Sequence, residues 1–332
     1  MSIDVAIPNY NYGRYLRECI DSALMQDVEN LRVLVIDNAS TDESRDIARE
    51  IARADPRVEI RLREQNLGPH ASFNEAIDWA ASDYFTILCS DDCLAPGALR
   101  RAMAVLEENP NLAFVYGKDT PLHENEPKAE IADIPSARYQ TVSGHYFIER
   151  FCKRGVFQIP GATMVVRTSA QKAAGHYRPE LPHSDDYDLW LRLAMLGDVA
   201  ELDTVQAMLR IHSANRSNTF ARLQIDHIAH TEMAVDCFFS HEGTQLEDWR
   251  RLRKLARRGL SSRAYWAALA ALARAEPESW QLMQYAIRRD PIAALLPPVD
   301  YLLARADTLN RIRATLLAPV PPARIGGAPT PG

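Results

Sequence analysis

The chain has little cysteine, and none of it is arranged in pairs. Five of its 332 residues are Cys, at positions 19, 89, 93, 152 and 237, with no CxxC spacing. An odd count without close pairs excludes a disulfide framework or a structural zinc site and fits a reducing compartment. No apolar run approaches the roughly 20 residues that a membrane-spanning helix needs. The opening MSIDVAIPNY lacks the charged and apolar regions of a signal peptide. Glycine is sparse, with 14 residues and no GxGxxG, which argues against a dinucleotide pyrophosphate loop. Basic charge is not in excess either: 38 Lys+Arg face 44 Asp+Glu, a net charge of −6. A nucleic-acid binder with a basic footprint over its whole surface is thereby excluded. The expectation is a soluble, cytoplasmic protein with one large α/β domain, or one domain and a smaller helical appendage.

The net charge conceals an uneven distribution. From position 245 onward 14 basic residues stand against 7 acidic ones, whereas the first 244 residues hold 24 basic and 37 acidic groups. An acidic body joined to a basic tail suggests two regions with different roles.

The first 116 residues alternate strand and helix signals. Apolar runs at 3–7, 31–36, 58–62, 84–88 and 112–116 read as strands. Helical patterns at 14–26, 43–54 and 71–81 separate the first four. Ser40 and Glu43 have the spacing of a capping box, and Pro96 stands where a first helical residue would open the next helix. Strands separated by helices predict a mostly parallel, doubly wound sheet. The polar stretch 118–138 reads as a surface loop, 162–167 and 204–211 as strands, and 185–196 as an amphipathic helix. Beyond 220 the chain reads as helical, until the Pro- and Gly-rich 318–332, which reads as disordered.

In a parallel α/β sheet, ligands bind outside the carboxyl ends of the strands. Those ends carry Pro8-Asn9-Tyr10-Asn11, Asp37-Asn38-Ala39-Ser40, Asn66-Leu67-Gly68 and Cys89-Ser90-Asp91-Asp92. Acidic groups at two strand ends suit a divalent cation bridging protein carboxylates and a diphosphate.

Taken in order, IPNYNYGRYLRECIDSALMQ (7–26), VIDNASTD (35–42), NLG (66–68), LCSDD (88–92), HSDDYDLWLRLA (183–194) and LRIHSANRS (209–217) resemble the motifs of glycosyltransferase family 2. The resemblance covers roughly residues 3 to 217. It implies a GT-A fold: a Rossmann-like, mostly parallel central sheet flanked by helices, here with a helical C-terminal extension. It implies a catalytic domain over 1–219, divided into a nucleotide-sugar half (1–116) and an acceptor half (117–219), followed by a helical region over 220–317.

By the same resemblance, Pro8, Asn9, Tyr10, Asp37, Asn66 and Asp91 contact the nucleotide-sugar. Asp92 holds the divalent cation, Mn²⁺ or Mg²⁺, and His212 is a further metal candidate. Cys89 occupies a position that is acidic in the fuller form of the metal motif. Asp186 is the expected general base, with Asp185 the alternative, and Trp190 is either a packing residue or a sugar contact. Each assignment competes with a plain structural role. Asp37 suits a turn, Asp91 and Asp92 suit turns or caps, and Asp185 and Asp186 suit the positive end of a helix dipole. Asp188 has the i,i+4 spacing to pair with Arg192. The implied activity is inverting transfer from a nucleotide-diphosphate-sugar, UDP- or dTDP-type, to a hydroxyl of a glycan or lipid-linked acceptor in surface polysaccharide or glycoconjugate synthesis. The alternative is a non-catalytic nucleotide-sugar-binding scaffold. No nucleic-acid partner is expected.

The segment 246–260 places Leu246, Trp249, Leu252, Leu255 and Ala256 on one face and Arg and Lys on the other. Such a helix either rests peripherally on the inner face of a membrane or docks on the catalytic domain. The C-terminal helices are also the candidate surface for a homodimer.

Overall fold

Short apolar runs buried on both faces build the amino-terminal half of the sheet, the pattern of parallel strands covered by helices on either side. The computed structural model describes residues 1–124, 130–155, 159–212, 215, 224–294, 296–299 and 301. Strands β1 (Ser2–Asn9), β2 (Asn30–Asp37), β3 (Val58–Leu62) and β4 (Tyr84–Ile87) lie parallel in the order β3-β2-β1-β4. Helices α1 (Gly13–Leu24), α2 (Ser44–Ala54) and α3 (Pro69–Trp79) connect them. Side chains alternate across β1. Ile3, Val5 and Ile7 pack with Leu16 and Ile20 of α1, while Ala6 faces Ala76 and Ile77 of α3 on the opposite side.

The second half comprises β5 (Cys93–Leu94), α4 (Ala98–Glu108), β6 (Leu112–His123), β7 (Tyr139–Val142), α5 (Gly144–Arg154), β8 (Val165–Arg167), α6 (Thr168–Ala174), α7 (Asp185–Ala194) and β9 (Asp198–Ile211). The full order is β3-β2-β1-β4-β8-β6-β9-β5, with β7 also on β9. Three-residue β8 is antiparallel to both β4 and β6, so strand direction reverses once and is then restored in β6 and β9.

Three local expectations are corrected. Strand β6 does not end at Tyr116. It runs to His123 because β9 supplies a parallel partner from Asp198 to Ile211, with bulges near Gly117 that absorb the polar Lys118 and Asp119. The Ser40–Glu43 capping box does not form. The Ser40 hydroxyl instead accepts from Asn9 Nδ2 and the Asn11 amide, and Asp42 accepts from the Gly13 and Ser44 amides. Pro96 stands outside α4, which starts at Ala98 after Gly97 at φ 67°.

The C-terminal helices α8 (Gln224–Phe238), α9 (Trp249–Ala273) and α10 (Ser279–Arg289) pack onto this body. Leu252 and Ala256 join the core shared by α5, α7 and α8, with Leu246, Trp249 and Leu255 packed against it. Further along α9, Leu260, Ala264, Ala268 and Ala271 build a second core with Ile228 of α8 and Leu282 and Ala286 of α10. The apolar face of 246–260 is thus spent on docking. The membrane reading loses the face it needs, since full burial of one Leu is worth about 1.5–3 kcal/mol. Among the described residues no helix is long and apolar enough to cross a membrane. The segment 318–332 lies outside the described residues, as do 213–214, 216–223 and 302–317.

Candidate functional site

The loop after β2 is organised around one fully buried carboxylate. Asp37 Oδ2 accepts from Asn9 Nδ2 at 2.9 Å, and Oδ1 accepts from the Ser40 amide at 2.9 Å. Asn9 and Asp37 are direct partners in the β1–β2 register, so the sheet itself aligns these two side chains. Both adjoining loops use left-handed backbone at non-glycine residues, Asn11 (φ 57°) and Ala39 (φ 65°). Asn11 suits that region through its short polar side chain, whose Oδ1 accepts from the Thr41 amide at 2.8 Å. Asn38 ties this loop to the next: its Nδ2 donates to Asn66 Oδ1 at 2.6 Å, and its Oδ1 accepts from Arg63 and the Leu67 amide. Tyr10 stands 45% exposed at the rim and Pro8 is half-buried.

At the end of β4 the chain folds back through a turn closed by the Asp92 amide to the Cys89 carbonyl, 3.0 Å. One donor atom each from Cys89, Asp91 and Asp92 lies within 4.8 Å of the others. Two carboxylates and a thiol at such spacing fit a divalent cation, because oxygen donors satisfy a hard ion and its charge relieves the repulsion between the two acids. Burial, with the neighbouring Asp91 charge next, pushes the Asp92 carboxyl up.

Strand β9 braces the pair from behind. The Arg210 amide donates to Asp92 Oδ1 at 3.0 Å, and Arg210 Nε donates to the Asp91 carbonyl at 2.9 Å. The Arg210 guanidinium also pairs with Glu18 and lies 4.5 Å over the Tyr15 ring. His212 Nε2 is 3.2 Å from Asp91 Oδ2, and Asn215 Nδ2 is 3.3 Å from the same oxygen. His212 therefore supports Asp91 and lies outside the donor group found among the described residues.

The second acidic group is at the amino end of α7, whose first turn carries Asp185, Asp186 and Asp188. Asp185 Oδ2 is 3.1 Å from His70 Nε2 at the start of α3, and Asp186 is the more open of the two, with Oδ1 accepting from the Tyr187 amide. Asp188 is fully buried between Arg178 (2.9 Å) and Arg192 (2.8 Å), the structural pairing that its i,i+4 spacing indicates. Burial pushes its carboxyl up even so, against the lowering effect of both arginines. Burial also raises the Tyr177 phenol, and Asp185, Asp186 and Cys89 all add to the rise. His70 follows the loop after β3, so its contact with Asp185 sets the α7 start at the same carboxyl edge of the sheet as the Asp91–Asp92 turn. Trp190 does not face it. At 2% exposure, with its ring 5.3 Å from that of Tyr187, it belongs to the core and offers no face to a sugar.

The family model described as Glycosyl transferase family 2 matches residues 4–172, just over half of the chain. The chain belongs to that family. An uncharacterized glycosyltransferase of Haemophilus influenzae is 25% identical over 224 residues, 66% of this chain and 68% of the relative. The chondroitin synthase of Pasteurella multocida is 25% identical over 221 residues, but these make up only 21% of that longer protein.

Among solved structures, Staphylococcus aureus TarS 1-349 in complex with UDP-GlcNAc aligns with a TM-score of 0.63 at 17% identity, covering 95% of this chain and 88% of that one. The mannosyltransferase PcManGT of Pyrobaculum calidifontis, in complex with GDP-Man and Mn²⁺, aligns at a TM-score of 0.50 and 16% identity over 89% of this chain. At those identities the likeness shows the GT-A fold, and the family match makes the protein a glycosyltransferase.

Several residues of this glycosyltransferase's cleft escaped sequence reasoning. Arg210 and Glu18 lie inside quoted motifs, yet their pairing spans 192 positions and no local pattern carries it. His70 and Arg63 follow no motif and become visible only once His70 reaches Asp185 and Arg63 reaches Asn38.

Proposed function

We propose that this glycosyltransferase moves a sugar from a nucleotide-diphosphate-sugar to an acceptor hydroxyl with inversion, aided by a divalent cation. The observation that carries the reading is the clustering, at the carboxyl edge of the sheet, of the Cys89–Asp92 donor atoms within 4.8 Å of one another and of the α7 start, whose Asp185 meets His70 at 3.1 Å. The complexes named for the structural neighbours, with UDP-GlcNAc and with GDP-Man and Mn²⁺, support a donor of this class and a cation of this charge. The catalytic unit is taken as 1–219 and the helical extension as 220–317.

Asp37, Asn9 and the rim residues Pro8 and Tyr10 form the floor and edge on which the nucleoside rests, with Asn66 closing the far side. Asp91 faces the ribose and diphosphate, steadied by His212 and Asn215. Asp92 is the principal ligand of the cation, Mn²⁺ or Mg²⁺, with Asp91 beside it. When bound, the ion neutralises charge that develops on the leaving diphosphate. Asp186 accepts the proton of the acceptor hydroxyl as that oxygen attacks the anomeric carbon, while Asp185, engaged by His70, holds the helix start in place.

Asp186→Asn should lower turnover by about 10²–10⁴-fold, the usual contribution of a general base. Donor binding, followed by ligand-induced thermal stabilisation, should stay near the parent value. Parent-like turnover in that variant would remove Asp186 from the role. The acceptor class, glycan or lipid-linked, and a place in surface polysaccharide or glycoconjugate synthesis are extensions of the same proposal, supported by the likeness to a chondroitin synthase.

A further inference from the structure

We propose that Cys89 is a metal ligand of this cleft and that its sulfur tunes the site toward thiophilic divalent ions, Zn²⁺ and Cd²⁺, over Mg²⁺. The proposal rests on the cation reading of the Cys89–Asp92 turn given above. Cys89 is exposed, whereas Cys19, Cys93 and Cys152 are buried and Cys237 is half-buried. Its Sγ, one Asp91 oxygen and one Asp92 oxygen lie within 4.8 Å of one another. Donors at about 2.0–2.3 Å from one ion stand up to roughly 4.6 Å apart. The three atoms are therefore within one small side-chain rotation of a shared ion. The turn that closes from the Asp92 amide to the Cys89 carbonyl keeps them there, and the brace from the Arg210 amide fixes the Asp92 end.

An oxygen-only site is suited to Mg²⁺, which sheds its water reluctantly and ligates oxygen. Exchanging one oxygen for sulfur favours softer ions, since thiolate ligands select for them. On binding, the Cys89 S–H bond breaks, the proton passes to solvent, and a sulfur lone pair forms the bond to the ion. No electron is transferred.

The test uses the full-length protein stripped of metal. Titration with Co²⁺ and with Cd²⁺ should produce a near-ultraviolet thiolate-to-metal charge-transfer band that saturates at one ion per chain. The band should persist in Cys237→Ser and vanish in Cys89→Ser, a change at an exposed position whose folding is checked by the unchanged melting temperature. In competition, Zn²⁺ should displace Mn²⁺ from the parent at a concentration about tenfold or more below that needed for Cys89→Ser, with free Mn²⁺ followed by its electron paramagnetic resonance signal. Parent protein that binds Mn²⁺ but shows no thiolate band, or a full band in Cys89→Ser, overturns the proposal and leaves the cation reading standing. Parent protein that binds none of these ions overturns the cation reading as well.

Discussion

Ala39 holds a left-handed backbone, φ 65°, beside the buried carboxylate of Asp37. A Cβ in that region costs about 1–2 kcal/mol, and the loop tolerates it because Asp37, Ser40 and Asn9 fix the turn from within. Ala39→Gly relieves the clash at a smaller entropic cost in the unfolded chain, so a net gain of about 0.5–1 kcal/mol is expected by chemical denaturation. A loss in stability would mean that the Ala39 methyl contributes contacts outweighing the strain. Asp4 is a second buried acid with a different task. It accepts from Arg32 Nε and Nη2, both at 2.8 Å, from the Ala81 and Ser82 amides, and from the Ser82 hydroxyl. Burial alone would raise its carboxyl, but Arg32 and the Ala81 and Ser82 donors outweigh burial and hold it below the ordinary range. Its stabilisation is therefore present above the unfolded value near 3.9 and is lost as pH falls through the lower folded value. Asp4→Ala should cost about 1–3 kcal/mol at pH 7, because the Ala81 and Ser82 amides lose their acceptor while Arg32 stays hydrated. The gap between variant and parent should narrow below about pH 4, the region of the unfolded carboxyl, in urea melts at both pH values. At this scale the sequence was most readable where a polar residue ends an apolar run, as at Asp37 and Asp92. It was least readable at Trp190, whose burial depends on helices far from it in the chain.

Among the elements, the first four strands could be read directly, because runs buried on both faces and bounded by polar turns have few other interpretations. The extension of β6 to His123 could not. Lys118, Asp119 and Thr120 carry no strand pattern of their own, and the neighbouring β9 imposes extended backbone on them. The direction of β8 was equally hidden, since three residues reveal no partner. The docking of α9 on α5 turns on two glycines. A Cβ at Gly259 would lie 2.3 Å from the Cys152 carbonyl oxygen, and Gly155, at φ +64°, ends α5 against the Gly259 backbone. Gly259→Ala gains helix propensity but forces the two helices apart. A net loss of about 1–2 kcal/mol is expected, the range of modest overpacking, read as a lowered melting temperature. An unchanged melting temperature would show that the crossing can slide.

For the molecule as a whole, the uneven charge along the chain has a physical location. The basic segment is anchored through Leu252, Ala256 and Leu260, and several of its arginines pair with acids of the body and of neighbouring helices, Arg251 with Glu149 and Arg253 with Asp236. Removing 245–332 should therefore strip a core and yield a chain that melts at lower temperature or fails to stay monodisperse. With the full chain, pelleting on anionic vesicles should be weak and should fall as salt rises, because only surface charge remains for the membrane. Salt-resistant pelleting would show an apolar insertion that the docked helix does not offer.

The brace at the back of the acidic pair also bears on how the protein comes into being. The backbone amide that holds Asp92 belongs to Arg210, 118 positions further along the chain. While the polypeptide is still being synthesised, both aspartates leave the ribosome long before the β9 brace can reach them. Domains are completed as units, and contacts of such wide separation close late. A nascent chain halted before β9 would carry both aspartates and still lack the amide that braces Asp92. The last strand of the body is the one that sets the turn after its fourth.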